Sequence, residues 1–339
     1  MNQTTQETVI LDHGTGAKLS RELVELIAKT LDDTYLGAME DSAVLELPTK
    51  NIAFTTDSFV VTPLIFGNGD IGKIAVCGTV NDLAVSGAKP LYLTLSLIIE
   101  DGLPIAELIT VIESVRDTAR EAGVKIVAGD TKVVGKGEAD KLFINTAGVG
   151  VFERAPVSIQ NVRPGQKIIL SGYIGNHSIH LLSMREGLGF ERNVLSDCAA
   201  LNHMIDSLFS QVSGEKIASI RDVTRGGLSA VLHEHASAVD GKIRFHKDQL
   251  PIQAEADMAA DMLGINVINL ANEGCLCLFV DADVADDVLA VLQKDPHGAQ
   301  ATIIGEVVNS SGKQVVMVDP DGNEEIVEEL YGAELPRLC

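Results

Sequence analysis

The stretch Gly67-Asn-Gly-Asp-Ile-Gly72-Lys73 has three possible readings, and the choice among them decides the fold. It contains G-x-G-x-x-G, the glycine pattern of a dinucleotide-binding turn. It also fits G-x-x-x-x-G-K, the phosphate-cradling loop of nucleotide hydrolases. Both patterns put a phosphate on backbone N–H groups at a helix N-terminus. The hydrolase loop needs Ser or Thr after the lysine to hold magnesium, and Ile74 stands there. The dinucleotide pattern needs an acidic residue about 20 positions on, where the chain reads Ala88-Lys-Pro-Leu-Tyr92. The stretch is therefore read as a glycine-rich start to a helix over Ile71–Gly87, and neither nucleotide fold is expected.

Working outward, apolar residues at 19, 23, 26, 27 and 31 predict a helix over 19–31. Asn51–Thr56, ending at Asp57, and Leu91–Ile99 are strand-like. Pro104–Ala122 is an amphipathic helix with Pro at its start and Gly123 past its end. Val124–Ala128 and Leu142–Val151 predict further strands. Glu153–Gln166, with two prolines and a glycine, is the expected domain boundary. Beyond it, a strand at Lys167–Ser171 opens a second pattern. Helices are expected near 175–185, 197–211, 226–239 and 283–294, and strands near 242–245, 274–280, 301–306 and 314–319. Mixed strands and helices in both halves predict two α/β or α+β domains.

The chain of 339 residues carries 48 acidic against 26 basic side chains, a formal charge of −22. Such a surface repels a phosphate backbone, so nucleic acid is not an expected partner. No apolar run approaches the roughly 20 residues that span a bilayer, and a soluble, unexported chain is expected. The five cysteines (77, 198, 275, 277, 339) are sparse and odd in number, which fits a reducing cytoplasm rather than a disulfide scaffold. Cys275 and Cys277 are expected as buried apolar residues. His177, His180, His233 and His235 lack zinc-ligand spacing and are read as surface or helix histidines.

Acidic residues recur where elements end against small residues: Glu40-Asp41-Ser-Ala, Thr55-Thr-Asp57-Ser, Val80-Asn-Asp82-Leu and Ala128-Gly-Asp130-Thr-Lys132. Asp82 lies within an otherwise apolar helix, where an unpaired carboxylate is costly. Together Asp41, Asp57, Asp82 and Asp130 suit hard Mg²⁺ ions on a nucleotide triphosphate. Singly, each could cap a helix or turn. Asp222 and Arg225, before Gly226-Gly227, could likewise cap a helix or join a nucleotide site.

Asp57-Ser-Phe-Val-Val, Gly69-Asp-Ile-Gly-Lys, Gly78-Thr-Val-Asn-Asp-Leu, Gly129-Asp-Thr-Lys-Val-Val and Ile144-Asn-Thr-Ala-Gly closely resemble the hydrogenase maturation family HypE. That family is one branch of the PurM-like, aminoimidazole ribonucleotide synthetase-like, ATP-dependent enzymes. Arg221-Asp-Val-Thr-Arg-Gly-Gly-Leu and Ala271-Asn-Glu-Gly agree, and the terminal Pro336-Arg-Leu-Cys339 is the family's most distinctive ending. His13-Gly-Thr-Gly16-Ala17 departs from the usual His-Gly-x-Gly-Gly, and Ala17 restricts positive φ there.

The resemblance implies an α+β, two-domain PurM-like fold: an N-terminal segment (1–40) with the glycine-rich loop, an ATP-binding domain (41–155) whose strands build a dimer barrel, an α/β domain (156–330) and a mobile catalytic tail (331–339). It implies that Asp41, Asp57, Asp82 and Asp130 hold Mg²⁺–ATP, with Lys73, Asn81 and Thr131 also binding the cofactor. Cys339, Lys132 and Glu273 would be catalytic, with Glu273 as base and Lys132 stabilising phosphate or an oxyanion. The activity implied is ATP-dependent dehydration of a carbamoyl group on Cys339 to a thiocyanate, the source of cyanide ligands for [NiFe]-hydrogenase. The implied partners are a second copy of the chain, the carbamoyltransferase HypF and an acceptor complex, HypC–HypD. Two rivals are another PurM-like enzyme, of the thiamine-monophosphate kinase or selenophosphate synthetase type, and a non-catalytic adaptor. Enzymes of the first kind do not require a C-terminal cysteine, and the intact aspartate set argues against the second.

Overall fold

Residues 7–15, 18–36, 45–239, 241–310, 312–330 and 338 are described by the computed structural model of the chain. The first half contains helix α1 (Lys18–Leu31), β1 (Ile52–Phe59), the short strands β2 (Ile65–Phe66) and β3 (Gly69–Asp70), helix α2 (Ile71–Val85), β4 (Lys89–Glu100), helix α3 (Ile105–Ala122), β5 (Lys125–Val134) and β6 (Leu142–Val151). Four of these form a sheet in the order β1-β6-β4-β5. β4 and β5 run parallel because α3 carries the chain between them, and the other pairs are antiparallel.

Helix α2 lies across β1, β6 and β4, and α3 packs outside it. Burial alternates along β6, as a sheet covered on one face requires. Among the described residues the other face is left open, with Ile52 at 47 %, Phe54 at 68 % and Ile98 at 43 % exposure. α2 is apolar nearly all round because it is also packed against the second half, at β8 and α5 described below. Its N-terminus is capped by Asp70, whose carboxylate accepts the Lys73 N–H at 2.9 Å. The glycine-rich stretch is thus a helix start with an aspartate cap.

The second half contains β7 (Lys167–Leu170), α4 (Asn176–Glu186), α5 (Asn202–Gln211), β8 (Ile217–Asp222), α6 (Gly227–Ala238), β9 (Lys242–His246), α7 (Ala254–Leu263), β10 (Leu276–Val280), α8 (Ala285–Leu292), β11 (Thr302–Val308), β12 (Val315–Val318) and β13 (Glu324–Ile326). Its sheet has the order β13-β12-β9-β11-β7-β10-β8, antiparallel except between β12 and β9. Both faces are covered. Ile168, Leu170, Cys277 and Phe279 pack with residues of α4, α6 and α7, while Ile169, Leu276, Leu278 and Val280 pack with α5 and α8. That is why β10 is buried on both faces and reads as an unbroken apolar run. Cys275 and Cys277 sit in it as buried thiols.

Three differences from the sequence reading have physical causes. The helix expected over 197–211 begins only at Asn202, because the peptide groups of 196–201 are held by side chains from elsewhere. Strand β8 and helix α7 were not expected; the alanine-rich, acidic α7 has only a weak apolar stripe. The helix histidines are not on the surface: His177, His180 and His235 are fully buried. His235 is stacked on Phe279 with ring centroids 4.0 Å apart.

Candidate functional site

The candidate site lies where β1 and α2 of the first half meet the loops of the second. Asp57 projects from β1 toward α2, its Oδ2 over Gly78, where an added Cβ would stand 3.4 Å from that oxygen and 2.9 Å from the Phe59 ring. Asp82, further along α2, accepts a hydrogen bond from the Thr55 hydroxyl at 2.8 Å. Asp222 ends β8, and Glu273 lies three residues before β10. These carboxylates act on one another. Asp57 is raised by burial and by Asp82, and Asp222 is pushed up to about 6 by burial, Asp82 and Asp57. Asp82 is raised by burial, against the bond from Thr55 and the nearby Arg221 and Arg225. Glu273 is 4 % exposed and is raised well above the usual carboxylate range by burial, then by Cys198, Asp197, Asp222 and Asp57. Asp222 does not cap the following helix: α6 starts behind Gly226, with no side-chain cap.

The segment Ser196–Leu201 joins the two halves, and two asparagines of the first half hold it. Asn68, from the glycine-rich stretch, donates to the Ser196 carbonyl at 2.7 Å and accepts the Ser196 N–H at 3.1 Å. Asn81 donates to the Ala199 carbonyl at 3.0 Å and accepts the Leu201 N–H at 2.8 Å. Between these clamps, Asp197 accepts the N–H groups of Glu273 and Gly274 at 3.0 and 3.1 Å, and the Ala199 N–H donates to the Glu273 carbonyl at 3.3 Å. Asp197 is pushed up to about 6 by burial, against those bonds and the charge of Lys73. The Cys198 thiol, hydrogen-bonded to Cys77 of α2 and buried, is raised well above its ordinary value.

The same segment reaches the C-terminal end of the chain. Cys198 N–H donates to Ser196 Oγ at 3.2 Å, and that hydroxyl lies 2.8 Å from His177 Nδ1. His177 Nε2 lies 2.8 Å from the Leu338 carbonyl. A carbonyl only accepts, so Nε2 carries the proton and Nδ1 accepts from Ser196. Burial holds the imidazole at a pKa of about 4, hence neutral. Leu338 is 6 % exposed, within the apolar cluster that includes Leu181, Leu182, Cys198 and Ala271.

The residues expected at the site are thus divided. Asp57, Asp82 and Glu273 converge, and the charge of Lys73 reaches Asp70, Asp197 and Cys198. Asn81 faces Ala199 and Leu201 rather than an open cleft. Asp130, Thr131 and Lys132 lie on β5, at the far edge of the sheet from β1, three strand spacings or about 14 Å across. Asp57 shares a row with Thr146, Leu95 and Gly129, so Asp130, one residue on, points to the opposite, open face. There its carboxylate meets Lys132 Nζ at 2.9 Å, both side chains exposed. His13 and Gly14 pack beside them, with Gly14 so near Val133 that a Cβ would stand 3.0 Å from the valine Cβ. Asp41, Gly16, Ala17, Pro336, Arg337 and Cys339 lie outside the described residues. The sequence reading missed Asp197, Asn68 and His177; only the neighbouring polar pair Ser196-Asp197 before Cys198 offered a signal.

Among the described residues, no group of three or more His, Cys, Asp or Glu side chains is placed to hold a metal ion by itself. Two carboxylates such as Asp57 and Asp82 suit Mg²⁺, which keeps waters and takes its remaining ligands from substrate phosphates.

Residues 39–152 match the family model of the AIR synthase related protein N-terminal domain, and 163–318 that of its C-terminal domain. The chain is 41 % identical over 331 residues to carbamoyl dehydratase HypE of Rhizobium leguminosarum bv. viciae, covering 97 % of this chain and 94 % of that one. Its fold is similar to a crystal structure of hydrogenase maturation protein HypE in complex with ATP, with TM-score 0.93 and 39 % identity over 98 % of this chain and all of that one. It is also similar to the HypE chain of a HypE–HypF complex, with TM-score 0.80 and 44 % identity over 91 % and 99 % of the two chains.

Proposed function

The chain belongs to the HypE family of AIR synthase related proteins, and from that premise we propose that it is the ATP-dependent carbamoyl dehydratase that makes cyanide ligands for [NiFe]-hydrogenase. Cys339 carries the substrate as an S-carboxamide, and dehydration leaves a protein thiocyanate. The observation that carries this reading is Glu273: a buried carboxylate with raised proton affinity, anchored through its backbone beside Asp197, Asp222 and Asp57.

The chemical difficulty is a carboxamide oxygen that will not leave as hydroxide. Bound Mg²⁺–ATP supplies a γ-phosphoryl group, which lets that oxygen depart as phosphate. Asp57 and Asp82 would hold the metal, and both nitrogen protons have to be removed for the carboxamide to become S–C≡N. Glu273 is the base for this removal, because burial and the neighbouring carboxylates raise its affinity for a proton. Ionised carboxylates crowd it, which makes proton uptake favourable. Lys132, paired with Asp130 on the open face of the sheet, stands outside this constellation. The sum is R–S–C(=O)NH₂ + ATP → R–S–C≡N + ADP + phosphate.

A homodimer is supported by the open face of the first sheet, where Phe54, Ile52 and Ile98 stand exposed beside polar neighbours. Pairing two such faces would bury these side chains and bring each copy's Asp130 and Lys132 into the interface. A HypE relative forms a complex with HypF, so HypF is the expected carbamoyl donor, and HypC–HypD the acceptor. No helix among the described residues is long and apolar enough to cross a membrane. A cytoplasmic setting fits the reduced, buried cysteines.

Mass spectrometry of the C-terminal peptide tests the reading. After incubation with the carbamoyl donor system, Cys339 should gain a carbamoyl group, and on addition of ATP lose one water. A peptide that never gains the first mass, or turnover by Cys339→Ala, would overturn it.

A further inference from the structure

We propose that His177 is the positioning residue that receives the C-terminal arm and presents Cys339 to the site, a role that rests on Cys339 being the carrier. The contact is specific. The His177 Nε2–H donates to the Leu338 carbonyl at 2.8 Å, and that carbonyl belongs to the peptide bond joining Leu338 to Cys339. The fixed point is thus the residue next to Cys339 in the sequence.

Three observations separate this contact from an incidental bond at a chain end. The imidazole is fully buried on α4, so its N–H has no water to fall back on. Its tautomer is set from behind, since Ser196 Oγ–H occupies Nδ1 at 2.8 Å and leaves the proton on Nε2. Ser196 is itself fixed, its N–H and carbonyl both bonded to Asn68, and Phe66 meets the His177 ring edge-on at 5.7 Å. The Leu338 side chain adds an apolar anchor in the buried cluster. From Ser196 the chain runs directly to Asp197, which holds Glu273. The arm's receptor and the proposed base are therefore mounted on adjacent residues.

The clasp reads a main-chain carbonyl and a leucine, neither of which changes when the thiol is carbamoylated or converted to thiocyanate. Leu338 therefore offers His177 the same contact in every loading state.

The test is the rate of Cys339 alkylation by iodoacetamide in the full-length chain, followed by mass spectrometry of the C-terminal peptide, with buried Cys77, Cys198, Cys275 and Cys277 reporting an intact fold. His177→Phe removes the donor and should raise the Cys339 rate about tenfold, the effect of losing one hydrogen bond. His177→Gln keeps an N–H donor and should restore most of the protection. Leu338→Ala lies on the arm itself and should also raise the rate. In carbamoylated protein, single-turnover water loss should fall in the same order while ATP affinity stays unchanged. Wild-type alkylation rates in both His177→Phe and Leu338→Ala would overturn the proposal. Alkylation as expected, with a Cys339 that never accepts carbamoyl, would uphold the docking and sink the carrier reading instead.

Discussion

Asp197 holds Glu273 by its backbone: one carboxylate oxygen accepts the Glu273 N–H at 3.0 Å, and the other accepts the Gly274 N–H at 3.1 Å. The Glu273 side chain is thereby free to act while its main chain is fixed from two sides, since the Ala199 N–H also reaches its carbonyl.

Glu273→Gln keeps the shape and removes the proton acceptor. ATP binding should persist, and the rate of water loss from the carbamoylated chain should fall by roughly 10²-fold or more. Single-turnover mass spectrometry checks this, and wild-type turnover would rule out Glu273 as base.

Gly274→Ala tests the anchoring. A Cβ there would fall 1.8 Å from the Asp197 carbonyl oxygen, so the loop must shift. Turnover should drop at least about tenfold, because misplaced catalytic groups lose rate steeply. Comparing turnover with thermal melting separates a displaced Glu273 from general unfolding.

Asn81→Ala should destabilise the protein by about 2–4 kcal/mol, because it strips partners from the Ala199 carbonyl and the Leu201 N–H inside the interface between halves. Denaturant melts measure it. An unchanged midpoint would mean that the clamp contributes little.

Phe54→Asp puts a charge on the open sheet face. Sedimentation should show a dimer for the parent chain and a monomer for the variant, with secondary structure retained. A parent chain that sediments as a monomer at micromolar concentration would remove this face as an interface.

His235 makes the fold acid-sensitive. Burial lowers its pKa to about 4 from an ordinary 6.5, so the folded state binds fewer protons than the unfolded state between those values. Its contribution is fully present above pH 6.5 and is lost as the pH falls toward 4, amounting to about 3 kcal/mol. His235→Gln should flatten this part of the stability curve, as read from urea midpoints across that range.

Much of the architecture was legible because it depends on local pattern. Strand and helix positions of the first half follow from apolar periodicity, and the buried β10 from its unbroken apolar run. Asp82 was legible as a carboxylate inside an apolar helix and Asp57 as one of a set of acids at element ends, whereas Glu273 was legible only through the family resemblance of Ala271-Asn-Glu-Gly. Three things depended on long-range geometry instead. The sheet order β1-β6-β4-β5 sends Asp130 and Lys132 to the other edge and face, and no spacing along the chain encodes that order. Asp197 stood in what looked like a helix, but the peptide groups on either side of it, at Ser196, Ala199 and Leu201, are bonded to Asn68, Glu273 and Asn81, all more than 70 residues away in the chain. The histidines carry no motif, and burial alone distinguishes His177 from a solvated helix residue.

The bond between His177 and Leu338 lies within a single chain, which fixes the kinetic order of the reaction it serves. An enzyme that holds its own terminus meets its substrate at a concentration set by tether length, not by how much protein is present. The dehydration should run at the same specific rate at nanomolar and micromolar protein, and a soluble peptide ending in the same residues should compete poorly. Encounter with a second molecule then limits only the loading and unloading of the thiol.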